Sequence, residues 1–226
     1  FYSGERPIPA AIVANIRAKY GLDQPWYVQY GRTIGNIARG DFGISLRYLG
    51  QPVNDILISA LPVSATVGSL AYLLALALGI PAGVLAALRQ NSKLDYSSMA
   101  AAMAGISVPN FVLGPVLVMV FALTLFWLPP ALWEGFSANL IMPVLTLSAM
   151  YTAYIARLTR SGMLEVLRSN YIRTARAKGL SERQVLLRHA LRGGLLPVVS
   201  FAGPALALLI TGTVVVERIF ALPGLG

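Results

Sequence analysis

The sequence predicts an all-α, polytopic membrane helical bundle, and three observations predict it. The chain is 56% hydrophobic and only 12% charged, with a mean hydropathy of +0.67, where a soluble domain carries about 25% charged residues. Its charges sit in short islands, leaving uncharged runs at 56–88, 96–133, 135–156 and 193–216. Each run exceeds the roughly 20 apolar residues that cross a bilayer. The formal charge of +9 is gathered mostly into one island, residues 157–192, as expected of a loop on the positive, cytoplasmic side of a membrane.

Residues 1–60 form the first segment. Their six positive and four negative charges are spread thinly, and long translocated segments escape the charge rule, so an external position is expected. Within it, residues 8–20 carry Ile12, Val13 and Ile16 at helical spacing and stop at Gly21. Residues 29–38 predict a second short helix, and Arg39-Gly40-Asp41-Phe42-Gly43 reads as a turn. The segment is expected to serve as a lid, a docking surface or a structural plug.

Residues 61–226 form the transmembrane part, with spans near 63–88, 100–126, 138–156 and 195–216. The island after the first span (residues 89–95) and the one after the third are placed in the cytoplasm, and 128–137 outside. The chain opens on Phe1 and closes on Leu222-Pro223-Gly224-Leu225-Gly226, a turn-like sequence. A start and a finish on the outside lead us to expect a longer polypeptide with a further span at each end, six in all. Pro81, Gly83, Pro109, Gly114, Pro115, Pro143, Pro197 and Pro204 interrupt the spans, which predicts kinked helices wherever neighbouring groups satisfy the freed carbonyls.

Several chemistries are excluded. With no cysteine in the chain there is no disulfide, thiol nucleophile or Cys-based metal site. None of Lys19, Lys93 and Lys178 follows a glycine, so there is no phosphate loop. His189 is the single histidine and has no second ligand to make a metal site. No GxSxG elbow occurs, and Asp55 and Glu134 border the runs as interfacial residues. No catalytic and no metal-binding residues are assigned, and an intramembrane enzyme is the weaker alternative for want of paired catalytic groups.

The island at 157–192 is the most informative stretch. Asn170 is expected to cap a short helix through Lys178, Gly179 stands where a left-handed C′ residue is wanted, and Ser181-Glu182-Arg183-Gln184 has the capping-box pattern with Leu180 and Val185 as its staple. A helix of about nine residues is marginal in water unless one face is packed, and Tyr171, Ile172 and Ala175 are candidates for that face. Three readings compete. DNA binding is disfavoured because both ends run into membrane spans. A merely lipid-facing basic loop explains the charge but not the cap, stop and cap. A rigid peg that docks on a cytoplasmic partner explains both.

Tyr171-Ile172-Arg173-Thr174-Ala175-Arg176-Ala177-Lys178-Gly179-Leu180 resembles the EAA loop of the inner-membrane permease subunits of binding-protein-dependent ABC importers, in its peptide-transporter version. The flanks Leu158-Thr159-Arg160-Ser161, Met163-Leu164-Glu165-Val166-Leu167 and Arg188-His189-Ala190-Leu191 are similar too, as is the run from Glu217 to Gly226. The eponymous Glu-Ala-Ala stands as Arg173-Thr174-Ala175, and Leu-Pro after the loop as Leu191-Arg192, departures that fit the peptide branch. The resemblance is nearest to the B-type oligopeptide permeases, with dipeptide, glutathione or nickel permeases as the alternative. It implies a bundle of the ABC importer permease type in a bacterial inner membrane. The implied partners are a homologous second permease, two cytoplasmic ATPase subunits carrying ATP and Mg, and an external peptide-binding protein, with no cofactor on this chain and no nucleic acid. It implies alternating access driven through a coupling helix, and assigns Tyr171, Arg173, Ala175, Lys178 and Gly179 to that coupling. Polar groups within the spans, Ser107, Asn110, Tyr151, Tyr154 and Thr211, are candidates for the translocation path or for helix–helix hydrogen bonds. Glu217, a carboxylate at the end of a span, is a candidate external gate or a cap.

Overall fold

A computed structural model describes residues 24–45, 48, 51–130, 132–211 and 214–226; the predicted helix at 8–20 lies outside these. The chain divides into two compact units, residues 1–58 and 59–226.

In the first unit, helix α1 spans Trp26–Ala38, three residues longer at its start than the sequence predicts because Pro25, which has no N–H to leave unsatisfied, leads into it. The turn at 39–43 is present. Gly40 and Gly43 have φ of 77° and 78°, the left-handed region that glycine enters without steric cost, and the Asp41 carboxylate accepts from the Gly43 amide at 2.8 Å. An isolated bridge pairs Ile44 with Pro52. Helix α2, Val53–Leu88, begins in this unit and continues into the second.

The second unit is built of helices joined by short irregular links, with no strand among its described residues. In α2 the helix runs on through Pro62 and Pro81. Small residues on one face let other backbones come close: a Cβ on Gly68 would run into the Leu209 carbonyl, one on Gly83 into that of Ala156, and one on Gly79 would lie 2.8 Å from the Thr152 carbonyl. Helix α3, Lys93–Ser107, and helix α4, Asn110–Leu117, stand where one span was predicted over 100–126. The pair, continued by a wider π turn at Val118–Thr124, is bent by 101°. Pro109 is the cause. It disfavours helical backbone at the residue before it, and Val108 is extended (φ −87°, ψ 114°).

Helix α5, Ile141–Leu167, follows a single 3₁₀ turn at Ala138–Leu140. The sequence stopped this span at Ala156, before the first charge; the helix itself runs on to Leu167. Its charged residues find partners there: the Arg157 guanidinium lies 5.7 Å from the Tyr154 ring centroid and Arg160 pairs with Asp95. Helix α6 is Asn170–Ala177. A helical run then starts at Glu182–Gln184, widens into a π stretch at Val185–Ala190 and closes at Leu191–Gly194; we call it α7. Helices α8, Leu196–Ile210, and α9, Val214–Ile219, complete the chain. Among the described residues, three helical stretches are long and apolar enough to cross a membrane, Val53–Leu88, Ala138–Leu167 and Leu196–Ile219, with the bent α3–α4 pair as a fourth.

Two cores hold the unit. The larger joins α2, α5, α8 and α9 through Ala71, Ala75, Tyr151, Ile155, Leu209 and Phe220. The smaller joins Ala87 of α2, Met163 of α5, Ile172 and Ala175 of α6, and Val185 and Ala190 of α7.

Candidate functional site

Helix α6 is eight residues long, roughly 12 Å at 1.5 Å per residue, and two devices fix its ends. At its C-terminus Gly179 takes φ 79°. Its amide reaches the Arg176 carbonyl at 2.9 Å, and the Leu180 amide reaches the Ala175 carbonyl at 3.4 Å. This is the Schellman pairing, which satisfies two orphan carbonyls at a helix end. Two residues later the capping box opens α7: Gln184 N donates to Ser181 Oγ at 3.4 Å, and Ser181 N donates to Gln184 Oε1 at 3.2 Å. Leu180 and Val185 both pack on the smaller core, as the staple requires. The N-terminus differs from expectation. Ser169, not Asn170, holds the cap position and donates its hydroxyl to the Val166 carbonyl at 2.6 Å.

The Arg176 guanidinium spans the turn, donating from Nε to Glu182 Oε1 at 2.8 Å and from its terminal nitrogen to Oε2 at 3.1 Å. That hydrogen bond holds the Glu182 carboxyl below the ordinary carboxylate value. With a lowered folded-state pKa, the contact is intact at neutral pH and is lost as acid takes the pH down through that pKa.

Packing sorts the five predicted coupling residues into two groups. Ala175 is buried beside the fully buried Ile172, so it belongs to the seat of the helix and not to its outward face. Arg173, Lys178 and Gly179 are exposed, and no atom lies within 4 Å of where a Gly179 Cβ would stand. Tyr171 is half exposed, but its hydroxyl lies 2.8 Å from the place of a Cβ on Gly193 in α7. The helix therefore shows solvent a basic ridge and shows its own bundle an apolar one. Where α5 and α7 cross beneath it, Gly162 faces the Gly194 carbonyl too closely for any side chain.

The predicted path residues lie on α3 (Ser107), α4 (Asn110), α5 (Tyr151 and Tyr154) and at the end of α8 (Thr211). Tyr151 is buried and Tyr154 partly exposed; both stack on Phe201, with centroids 6.2 and 5.8 Å away. Ser107 donates its hydroxyl to the Met103 carbonyl at 2.8 Å, and Thr211 bonds the Ala207 and Leu208 carbonyls. Both therefore bond within their own helices. Asn110 opens α4 at the Pro109 break.

Glu217 is buried at 5% exposure, and its carboxylate accepts hydrogen bonds from the chain itself. Ser64 of α2 donates to Oε1 at 2.6 Å, and the Gly226 amide donates to Oε2 at 2.6 Å. Ser64 in turn accepts from the Leu225 amide at 2.9 Å. A carboxylate this deep is tolerated because it is so paired. The carboxylate lies directly over Gly224, where a Cβ does not fit.

One functional contact escaped the sequence reading. Asp95, 1% exposed, opens α3 and binds Arg160 of α5 bidentately, with the terminal nitrogen at 2.7 Å. It also accepts from the Asn91 amide at 2.9 Å. The local signal was Ser92 three residues before Asp95: Ser92 caps the helix, accepting from Asp95 N. That pattern announces the helix start but not the long-range partner.

Residues 79–226 match the family described as binding-protein-dependent transport system inner membrane component. Over all 226 residues the chain is 51% identical to the oligopeptide transport system permease protein OppB of Escherichia coli strain K12, covering 74% of that protein. It is 43% identical over 225 residues to the dipeptide transport system permease protein DppB of Bacillus subtilis strain 168, covering 73% of it. Among solved structures, a chain of the MetNI methionine ABC transporter in inward-facing conformations shares the fold, with a TM-score of 0.60 at 19% identity and 79% of each chain covered.

Proposed function

Because this chain belongs to the family of binding-protein-dependent transport system inner membrane components, we propose that it is the permease subunit of an ATP-driven oligopeptide importer of a bacterial inner membrane. In that reading it forms half of the path and pairs with a homologous permease. It takes peptide from an external binding protein and is driven by two ATPase subunits on which ATP and Mg act. The observation that carries the reading is the identity to an oligopeptide permease along the whole length, which is higher than the identity to the dipeptide permease.

The mechanical part is assigned to α6. Its basic face, with Arg173 and Lys178 outward, suits an acidic cleft on an ATPase subunit, and its apolar face is keyed to α2, α5 and α7. Movement of the ATPase then reaches the long helices through packed side chains instead of through a flexible loop. ATP shifts the inward-open and outward-open populations only insofar as it binds the two states unequally. Tyr171, Ala175 and Gly179 hold the shape of the peg. Glu217 is assigned to a latch that pins residues 224–226 against α2, at the end of the bundle opposite the loop.

The test is uptake. Labelled oligopeptide should accumulate in vesicles carrying the reconstituted complex with ATP inside, and should not when this subunit is omitted. Uptake of dipeptides with no uptake of longer peptides would assign the chain to the dipeptide branch instead.

A further inference from the structure

We propose that α1 is an interfacial anchor, a helix lying in the membrane surface with its aromatic face among the lipid headgroups. Three observations converge on it. First, the helix is sided. At 100° per residue Trp26, Tyr30, Ile34, Ile37 and Tyr27 share one arc, while Gln29, Arg32, Thr33 and Asn36 share a second arc that adjoins it at Thr33, with Arg32 farthest from the aromatic side. Second, the apolar arc is bare: Trp26 is 78%, Tyr30 65% and Ile34 48% exposed, and α1 buries no residue.

Third, the helix is tied to the start of a candidate span. The turn that ends it is bonded straight to the start of α2, a helix apolar enough to cross the bilayer. Phe42 N donates to Asn54 Oδ1 at 2.9 Å and Val53 N to the Gly43 carbonyl at 2.8 Å, while the Asn54 amide donates to the Gly40 carbonyl. The uncharged run begins at Ile56, so the end of α1 is tied to within a few residues of the water–hydrocarbon boundary.

The composition of the face selects lipid over a protein groove. Trp and Tyr, with an apolar body and a polar tip, concentrate where headgroups meet hydrocarbon. The sole charge, Arg32, is on the far side, as in helices that lie in the interface plane. An anchor here fixes the tilt and depth at which α2 enters the membrane.

The absence of cysteine makes the test direct. Single cysteines at Tyr30→Cys and Ile34→Cys on the apolar arc, and at Arg32→Cys and Asn36→Cys on the polar arc, are labelled with a small fluorophore. The full chain is reconstituted in phosphatidylcholine–phosphatidylglycerol vesicles, alone and within the complete importer. Labels at 30 and 34 are expected to be quenched several-fold more by nitroxide-bearing lipid than labels at 32 and 36, with the reverse order for aqueous iodide. A label-free measurement guards against misfolding: with Trp127→Phe and Trp133→Phe, brominated lipid should quench Trp26. Equal quenching on both arcs overturns the proposal. So does shielding of 30 and 34 from both quenchers, which would mean that residues 1–23 or another protein cover the face. Transport of peptide has no bearing on either outcome.

Discussion

The Ser64 hydroxyl donates a 2.6 Å hydrogen bond to Glu217 Oε1, joining α2 to α9 across 153 positions of sequence. The same carboxylate receives the Gly226 amide on its other oxygen, so one side chain sets the position of two helices and a turn.

That arrangement makes the two residues unequal. Ser64→Ala removes the donor to Oε1 and the acceptor of the Leu225 amide, at about 1–3 kcal/mol; Glu217→Ala strands the Ser64 hydroxyl and the Gly226 amide and opens a cavity besides, at about 2–4 kcal/mol. Glu217→Gln keeps an acceptor for only one of its two donors and should fall between. Thermal unfolding of the purified chain in detergent should rank them wild type, Ser64→Ala, Glu217→Gln, Glu217→Ala. A Glu217→Gln protein as stable as wild type would mean that only one oxygen matters.

Asp95 and Arg160 tie the start of α3 to α5. The carboxylate is nearly sealed, with 2% of its side chain exposed, while the guanidinium keeps 25%, so the pair sits between the exposed limit of under 1 kcal/mol and the buried limit of about 3–5. Asp95→Asn should cost about 2 kcal/mol, and Arg160→Ala at least as much because it leaves the buried carboxylate with only the Asn91 amide. Double-mutant cycles on unfolding should show the two costs strongly non-additive. Additive losses would mean that the contact contributes nothing.

Gly179 separates backbone strain from steric clash. With φ at 79° and open space around it, Gly179→Ala meets no atom and loses only the left-handed preference, about 1 kcal/mol. Gly179→Asn, which tolerates that region, should recover part of it. Gly162→Ala should be worse than either, because its Cβ meets the Gly194 carbonyl and the two backbones must part. Melting temperatures of the three variants give the order directly.

The same contrast shows what was readable in sequence and what was not. The stop at Gly179 and the box from Ser181 to Gln184 are local, written within a few residues, and both stand in the structure. Span lengths were read from charges. That reading ended the span at Ala156 while the helix continues to Leu167, because a charged residue on a helix is no boundary when Tyr154 or Asp95 is there to receive it. The 101° bend at Pro109 was half legible: the proline predicted a kink, but its angle depends on packing. Contacts between distant positions, Asp95 with Arg160 and Ser64 with Glu217, carry no local mark. The packed face of α6 was legible as well: Ile172 and Ala175 were candidates for it and both are buried, while Arg173 faces out.

That last division yields a test of the peg itself. Ile172 is fully buried between α2, α5 and α7, and an eight-residue helix cannot persist in water without such a face. Ile172→Ala should therefore cost about 3 kcal/mol and loosen α6 throughout, seen as faster amide exchange over residues 170–177. Arg173→Glu with Lys178→Glu touches no packed atom and should leave both the melting temperature and the exchange rates unchanged. If α6 docks by its outward charge, that charge reversal alone should abolish ATP-driven uptake in the assembled importer while the fold stands. Unimpaired uptake would mean that the ridge is not the docking surface, and that the helix transmits motion, if at all, through its ends.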